Sequence, residues 1–235
     1  MRKGVNNTYK NFIIVLLYNM DNNTKIIDIE KNSKEKFNKI FTTIYEENVW
    51  NIENNNSNSG DGSNIDYNID TFIPFLKNWI MNNNIISVSD LGCGDFICGP
   101  LIYDDLNIQY YGYDTYLKII ENNIYNNKNT NYIFNQLDIF NEWEYIINAD
   151  LCIIKDVLQH WRLCDIYTFL DNIMISKKFK YILICNCCDQ VRDNPDLLIT
   201  GGFRPLSANF FPLKRYSAEI IFKYNTKEIS LITCH

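Results

Sequence analysis

The chain is short of histidine, of basic charge and of long apolar runs, and each shortage removes a class of function. Of its 235 residues only His160 and His235 are histidines. A zinc site needs four ligands in paired spacing. Cys185-Asn-Cys-Cys188 has no second Cys or His pair to match it, so these cysteines read as buried strand residues and no metal is expected. Lys and Arg number 22 against 28 Asp and Glu, a net charge of -6. Broad binding of a phosphate backbone needs the opposite surplus on one face, so there is no strong nucleic-acid signal. A local basic patch stays possible.

The apolar run Phe12–Tyr18 is too short to cross a bilayer, so no membrane association is expected. It follows Arg2 and Lys3 as a signal-peptide core would, but no small-residue cleavage site comes after it. Met20 opens a polar stretch that reads as an ordinary start, so residues 1–19 are expected to be dispensable or a mis-called extension. Residues 1–30 are read as a flexible extension and 31–235 as one domain, a length that supports a sizeable core. The eight cysteines (93, 98, 152, 164, 185, 187, 188 and 234) lie mostly in expected strands or beside a glycine turn. That usage fits reduced thiols and a cytoplasmic location. The abundance of Asn, Ile, Lys and Tyr reflects AT-rich codons rather than function.

Apolar periodicity sets the coarse structure. Phe37, Ile40, Phe41 and Ile44 mark an amphipathic helix over Lys31–Tyr45. The polar stretch Asn54–Ser63 is a loop. A second helix is expected over Asp66–Met81, with Pro74 disturbing its middle. From Ile85 short apolar runs alternate with helices. Strands are expected at 85–91, 108–113, 132–137, 150–155 and 181–186, with helices at 115–126 and 163–176. This alternation predicts an α/β, doubly wound, mostly parallel sheet. Glu219–Tyr224 and Glu228–Thr233 are joined by three residues, which permits only an antiparallel hairpin.

The densest signal is Val88-Ser-Asp-Leu-Gly-Cys-Gly-Asp95, followed by Tyr-Gly-Tyr-Asp114. It reads as strand, glycine turn, helix, second strand and acid, an arrangement that holds an adenosine-containing ligand at the carboxyl ends of a sheet. A dinucleotide fingerprint needs a third glycine where Ile97 stands. Asp95 would also repel a pyrophosphate at a helix N-terminus. S-adenosylmethionine has no phosphate and carries a sulfonium and an ammonium, so a pocket framed by Asp90 and Asp95 suits it. Asp114 is placed either to accept both ribose hydroxyls or to cap the next helix. Asp138 is placed to meet the adenine amino group, with Ile139 and Phe140 on the ring.

On these residues the chain resembles the class I S-adenosylmethionine-dependent methyltransferases, from about Phe37 to the C-terminus. Asp90–Asp95, Asp114, Leu137-Asp138 and Lys155-Asp-Val-Leu-Gln-His160 carry the resemblance. Ile44–Trp50, Ser59–Ser63 and Thr200–Leu206 look like a small bacterial and viral subgroup. The resemblance implies a Rossmann-like sheet closing in an antiparallel hairpin. It also implies S-adenosylmethionine as cofactor, held through Asp90, Gly92, Cys93, Gly94, Asp95, Asp114, Asp138 and Ile139. The chain departs from the commonest first motif at Phe96, where a third glycine is usual. The Asn/Asp-Pro-Pro-Tyr/Phe motif of nucleobase and glutamine N-methyltransferases is absent after the fourth strand.

Methyl transfer to a hydroxyl needs alignment and a proton acceptor. His160, after the fourth strand, is either that general base or a structural ring beside Trp161. Asp156 is expected to orient it or to touch the donor's ammonium. Ser57–Ser63 is either a lid that closes over the cofactor or a plain linker, and Tyr45 and Trp50 are expected as walls that contact the substrate. Arg204 either clamps an acidic group of the acceptor or pairs with Asp189 or Asp193. The expectation is O-methylation of a small molecule or sugar. The alternatives are a protein or nucleic-acid methyltransferase, a non-catalytic cofactor-binding module and, least consistent with Asp95, an NAD-dependent oxidoreductase.

Overall fold

The short apolar runs after residue 85 are short because each is a single strand crossing one sheet. The computed structural model describes residues 33–50, 59–193 and 196–234. Helix α1 (Ser33–Glu46), α2 (Ile65–Asn68) and α3 (Phe72–Asn82) precede β1 (Ser87–Leu91). Then follow α4 (Gly99–Tyr103), β2 (Gln109–Asp114), α5 (Leu117–Asn126), β3 (Tyr132–Gln136), β4 (Ala149–Lys155), α6 (Leu163–Ser176), β5 (Phe179–Cys187), β6 (Glu219–Tyr224) and β7 (Lys227–Thr233). The strands form one seven-stranded sheet in the order β3-β2-β1-β4-β5-β7-β6. β1 to β5 run parallel, β7 runs antiparallel to β5, and β6, antiparallel to β7, runs in the direction of the first five strands. The chain turns back between β1 and β4, and a ligand crevice opens at the carboxyl ends there.

Strand β4 shows why the sheet is buried on both sides. Leu151 and Ile153 join the core beneath α3, whereas Cys152 and Ile154 join the core beneath α6. This is the two-residue alternation of a strand with both faces covered. The first core carries an aromatic block in which Phe96 meets Tyr110, Tyr132 and Phe134 at ring-centroid distances of 4.6, 5.2 and 5.0 Å.

Two expectations are corrected. The helix expected over 66–81 is two helices, broken at 69–71. Pro74 is the third residue of α3, where its missing N–H needs no helical partner, and its ring forbids helix at residue 70. The hairpin turn is two residues, Asn225 and Thr226, because Lys227 already pairs with Tyr224 and Cys187. Residues 1–30 and 54–58 lie outside the described residues. Among the described residues no helix is long and apolar enough to cross a membrane.

Asp150 clasps the amino edge of the sheet. Its carboxylate accepts from the N–H groups of Ile86 and Ser87 at 3.0 and 3.2 Å and pairs with Lys180 at 2.7 Å. Burial would raise its pKa, but Lys180 and those N–H donors outweigh it and lower it. A lowered carboxylate pKa adds stability above the unfolded value, lost as pH falls through the folded one. Asp150→Ala is expected to cost about 2–3 kcal/mol in urea unfolding, the range for buried bonds to a charged group. A midpoint within error of the wild type would remove the clasp.

Candidate active site

The end of β1 turns sharply because two residues there have no side chain. Gly92 and Gly94 have φ of +82° and +55°. A Cβ at Gly92 would collide with the side chain of Val157, and one at Gly94 would lie 2.6 Å from Ser59 Oγ. The turn is tied to β2: Gly92 and Cys93 donate to the Tyr113 carbonyl at 2.8 and 2.9 Å, and Gly94 donates to Asp114 Oδ2 at 3.2 Å. Phe96 stands where a third glycine was looked for. It keeps the left-handed backbone, φ +55°, and directs its ring into the aromatic core.

Above this turn lies a cavity of about 380 Å³. Gly92 and Gly94 contribute its floor, and Asp114, Leu137, Asp138 and Ile139 one end. Tyr45, Trp50 and Ser59 cover it, and Lys155, Asp156, His160, Phe203 and Lys227 form the other end. Ser59, Gly60, Gly62 and Ser63 line the cavity, and residues 57 and 58 lie outside the described ones. Ser59 Oγ accepts from the Asp95 N–H at 3.0 Å, and the Gly62 carbonyl accepts from Lys155 Nζ at 2.5 Å.

Asp114 is buried at the last position of β2. Its Oδ1 accepts from the Tyr116 N–H at 3.0 Å. This bond closes a local turn and is not the helix cap expected of it, because α5 begins at Leu117 with Tyr116 as its N-cap and no side-chain cap bond. The other oxygen of Asp114 holds the glycine turn. Burial pushes its pKa up to about 6, against the pull of the Tyr116 and Gly94 donors. Asp138 closes its own turn, accepting from the Phe140 and Asn141 N–H groups at 3.1 and 3.2 Å, and still lines the cavity. Phe140 does not line it; its ring stacks on Phe37, 4.3 Å between centroids. Phe37 takes its place on the wall.

Three of the cofactor candidates face elsewhere. Asp90, Cys93 and Asp95 line a smaller cavity of about 60 Å³ behind the turn. Asp90 accepts from the Tyr110 hydroxyl at 2.8 Å, and burial pushes its pKa up to about 6. They frame the turn from behind rather than the main cavity. Nor does Asp95 open a helix, since α4 begins four residues later.

The acid expected to orient His160 does not do so. Asp156 leaves β4 with φ +61°, so it does not share a helical turn with His160. Its carboxylate pairs with Lys155 at 2.9 Å and with Lys227. Burial would raise its pKa, but the two ammonium groups outweigh burial and hold it well below the ordinary range. The Gly202 carbonyl orients His160 instead, 2.7 Å from Nδ1. A carbonyl can only accept, so Nδ1 carries the proton and Nε2 the lone pair. Gln159 supports this tautomer. Its Oε1 accepts from the Cys187 N–H at 2.9 Å, which leaves its amide NH₂ to face His160 Nε2 at 3.3 Å. Burial lowers the His160 pKa. The ring also touches the cover, 5.4 Å from Trp50 between centroids.

Arg204 does not reach the cavity. It is 3% exposed and pairs with Asp196 at 3.3 Å, not with Asp189 or Asp193. Sequence reading missed Lys227 and Gln159. Lys227 opens β7 directly after the hairpin turn, at the carboxyl edge of β5, a place no local sequence signal marks.

No protein-family model matches the sequence, and no curated protein sequence matches it either. Solved structures do match in fold. The N-methyltransferase NodS from Bradyrhizobium japonicum WM9, solved with S-adenosyl-L-homocysteine, aligns over 84% of this chain and 97% of its own at 11% identity and a TM-score of 0.57. The methyltransferase domain of bacterial CtHen1-CN aligns over 68% of this chain and 96% of its own at 13% identity and TM-score 0.54. The mitomycin 7-O-methyltransferase MmcR aligns over 69% of this chain and 54% of its own at 16% identity and TM-score 0.53. With its strand order, its closing hairpin and these likenesses, the chain takes the fold of the class I S-adenosylmethionine-dependent methyltransferases.

Proposed function

We propose that this protein is an S-adenosylmethionine-dependent methyltransferase that methylates a hydroxyl of a small molecule or sugar. One observation carries the reading: a single cavity opens onto a strand-end carboxylate, Asp114, at one end and a neutral imidazole, His160, at the other. Asp114 would hold the ribose hydroxyls. Asp138 would face the adenine edge, with Ile139 and Phe37 on its faces. Gly92 and Gly94 leave the space in which the methionine portion would lie. The residues therefore suit this group, which when bound supplies a methyl activated by positively charged sulfur.

The chain's own part is alignment, exclusion of water and removal of a proton. Tyr45 and Trp50 cover the cavity, their rings 5.1 Å apart. His160 Nε2 is the acceptor for the hydroxyl proton, because Gly202 fixes the proton on Nδ1 and burial keeps the ring neutral. Gln159 holds that lone pair until an acceptor hydroxyl replaces its amide. NodS and MmcR are by name N- and O-methyltransferases, so the fold accommodates either atom. A general base that is neutral at pH 7 favours oxygen, whose proton must leave as the bond forms. Eight free cysteines fit a reducing cytoplasm.

Two measurements test this reading. Titration calorimetry of S-adenosylhomocysteine is expected to show affinity rising as pH passes upward through about 6, because the ionised Asp114 is the form that accepts ribose hydroxyls. Asp114→Asn should weaken binding by about 1.5–3 kcal/mol and flatten that pH dependence. Asp90 titrates in the same range but faces the smaller cavity, so a dependence that survives in the variant would detach Asp114 from the ribose. For His160→Gln, the single-turnover rate at saturating donor should fall by about 10²–10⁴. The acid limb of the wild-type pH profile, expected below the ordinary histidine value, should vanish with it. An unchanged rate would remove the base.

A further inference from the structure

The acceptor end of the cavity holds more positive charge than its immediate neighbours neutralise. Lys155 and Lys227 share one carboxylate, that of Asp156. Lys155 is satisfied further by the Gly62 carbonyl. Lys227 is not. Its side chain is buried, the residue being 6% exposed, and Asp156 Oδ1 is its one hydrogen-bond partner among the described residues. An ammonium has three N–H donors, and leaving two unmatched out of bulk water is costly. Both Lys227 and Thr226 line the cavity, and the Tyr67 ring lies 5.7 Å from the Lys227 ammonium.

Other carboxylates nearby do not fill this need. Glu228, the next residue, is turned away and accepts from Ser207 Oγ at 2.9 Å and the Ala208 N–H at 2.7 Å. Asp90 is on the smaller cavity beneath Tyr110. Asp114 and Asp138 stand at the opposite end, beyond β1. The donor brings one carboxylate beside an ammonium of its own and a net positive charge overall, so it adds no net negative charge to this end, and its carboxylate is the competing occupant that the test below separates.

We propose that Lys227, steadied by Asp156 and backed by Lys155, is an anion subsite for the acceptor. The molecule methylated would then carry a carboxylate or phosphate beside its reacting hydroxyl. This rests on the methyltransferase reading and narrows its substrate class. The acidic group would sit on the unmatched N–H donors of Lys227, against the Tyr67 ring, while the hydroxyl faces His160. The clamp that sequence reading assigned to Arg204 falls to a lysine on the closing hairpin.

The test uses full-length protein saturated with S-adenosylhomocysteine. Inorganic phosphate and benzoate are each titrated into it by calorimetry. At least one is expected to bind saturably, and which one binds separates a phosphorylated from a carboxylated acceptor. Lys227→Met should weaken that anion by about tenfold or more, as loss of a charge-assisted bond does. Affinity for S-adenosylhomocysteine itself should hold. No saturable anion binding in the wild type overturns the subsite, and so does equal binding in the variant. A variant that loses S-adenosylhomocysteine but keeps 5′-methylthioadenosine, which lacks the carboxylate, would assign the lysine to the donor and also overturn it. If Lys227→Met does not fold, Lys227→Gln, which keeps hydrogen bonding without charge, is read the same way. Failure of the wild type to bind S-adenosylhomocysteine would instead sink the methyltransferase reading itself.

Discussion

A carboxylate taken out of water has to be given hydrogen bonds, and Asp114 receives them from the two segments that frame the cavity. The Gly94 N–H approaches one oxygen and the Tyr116 N–H the other. The first comes from the turn after β1, the second from the start of the segment leading into α5. One buried acid thereby fixes the spacing between two adjacent strand ends. Desolvation is the larger influence on this group, and these two donors, with the Thr115 N–H and the Tyr45 hydroxyl, only partly offset it. The tie is therefore tense toward protonation, and hydroxyl donors in the cavity would relieve it. What orders the turn and what would recognise a ribose are the same two oxygens.

The opposite end of the cavity is built on the reverse electrostatic logic. There a buried carboxylate is outnumbered by ammonium groups, and Asp156 stays ionised although burial opposes it. At the same end sits a ring, His160, whose proton is placed by a backbone carbonyl, not by an acid. A carbonyl fixes the tautomer without adding charge, and so leaves the imidazole less basic than an aspartate partner would. Burial lowers its pKa further. The cavity thus has carboxylates at one end and, at the other, two lysines around one carboxylate beside a neutral ring.

Much of this was legible because local chemistry and tertiary role coincide. The alternation of short apolar runs, the glycine turn and the three-residue limit on the last connection determine the sheet almost without tertiary information. α6 is found at 163–176 as its periodicity indicates. Gly92, Gly94, Asp114, Asp138 and Ile139 meet at one cavity because strand ends in a parallel sheet converge. The errors share a different cause. Asp90 points away from the crevice because alternate residues of β1 face opposite sides of the sheet, and a one-letter pattern does not say which side is which. Arg204 found Asp196 because burial, invisible in a loop sequence, decides its partner. Asp156 was expected to orient His160 or touch the donor's ammonium, yet its left-handed backbone turns it toward Lys227 of β7, 71 residues later. Lys227 could gain meaning only once that hairpin was known to return beside β5.

Phe96 ties the donor end of the cavity to the interior of the protein. A glycine at this position would make the loop a local ornament, free to vary on its own. An aromatic ring wedged among Tyr110, Tyr132 and Phe134 instead makes the ligand-facing backbone an outcrop of the hydrophobic centre. Interiors are packed at crystal-like density and do not yield piecemeal. The turn consequently takes its rigidity from beneath, and a change in the tyrosines it leans on would be felt at the cavity.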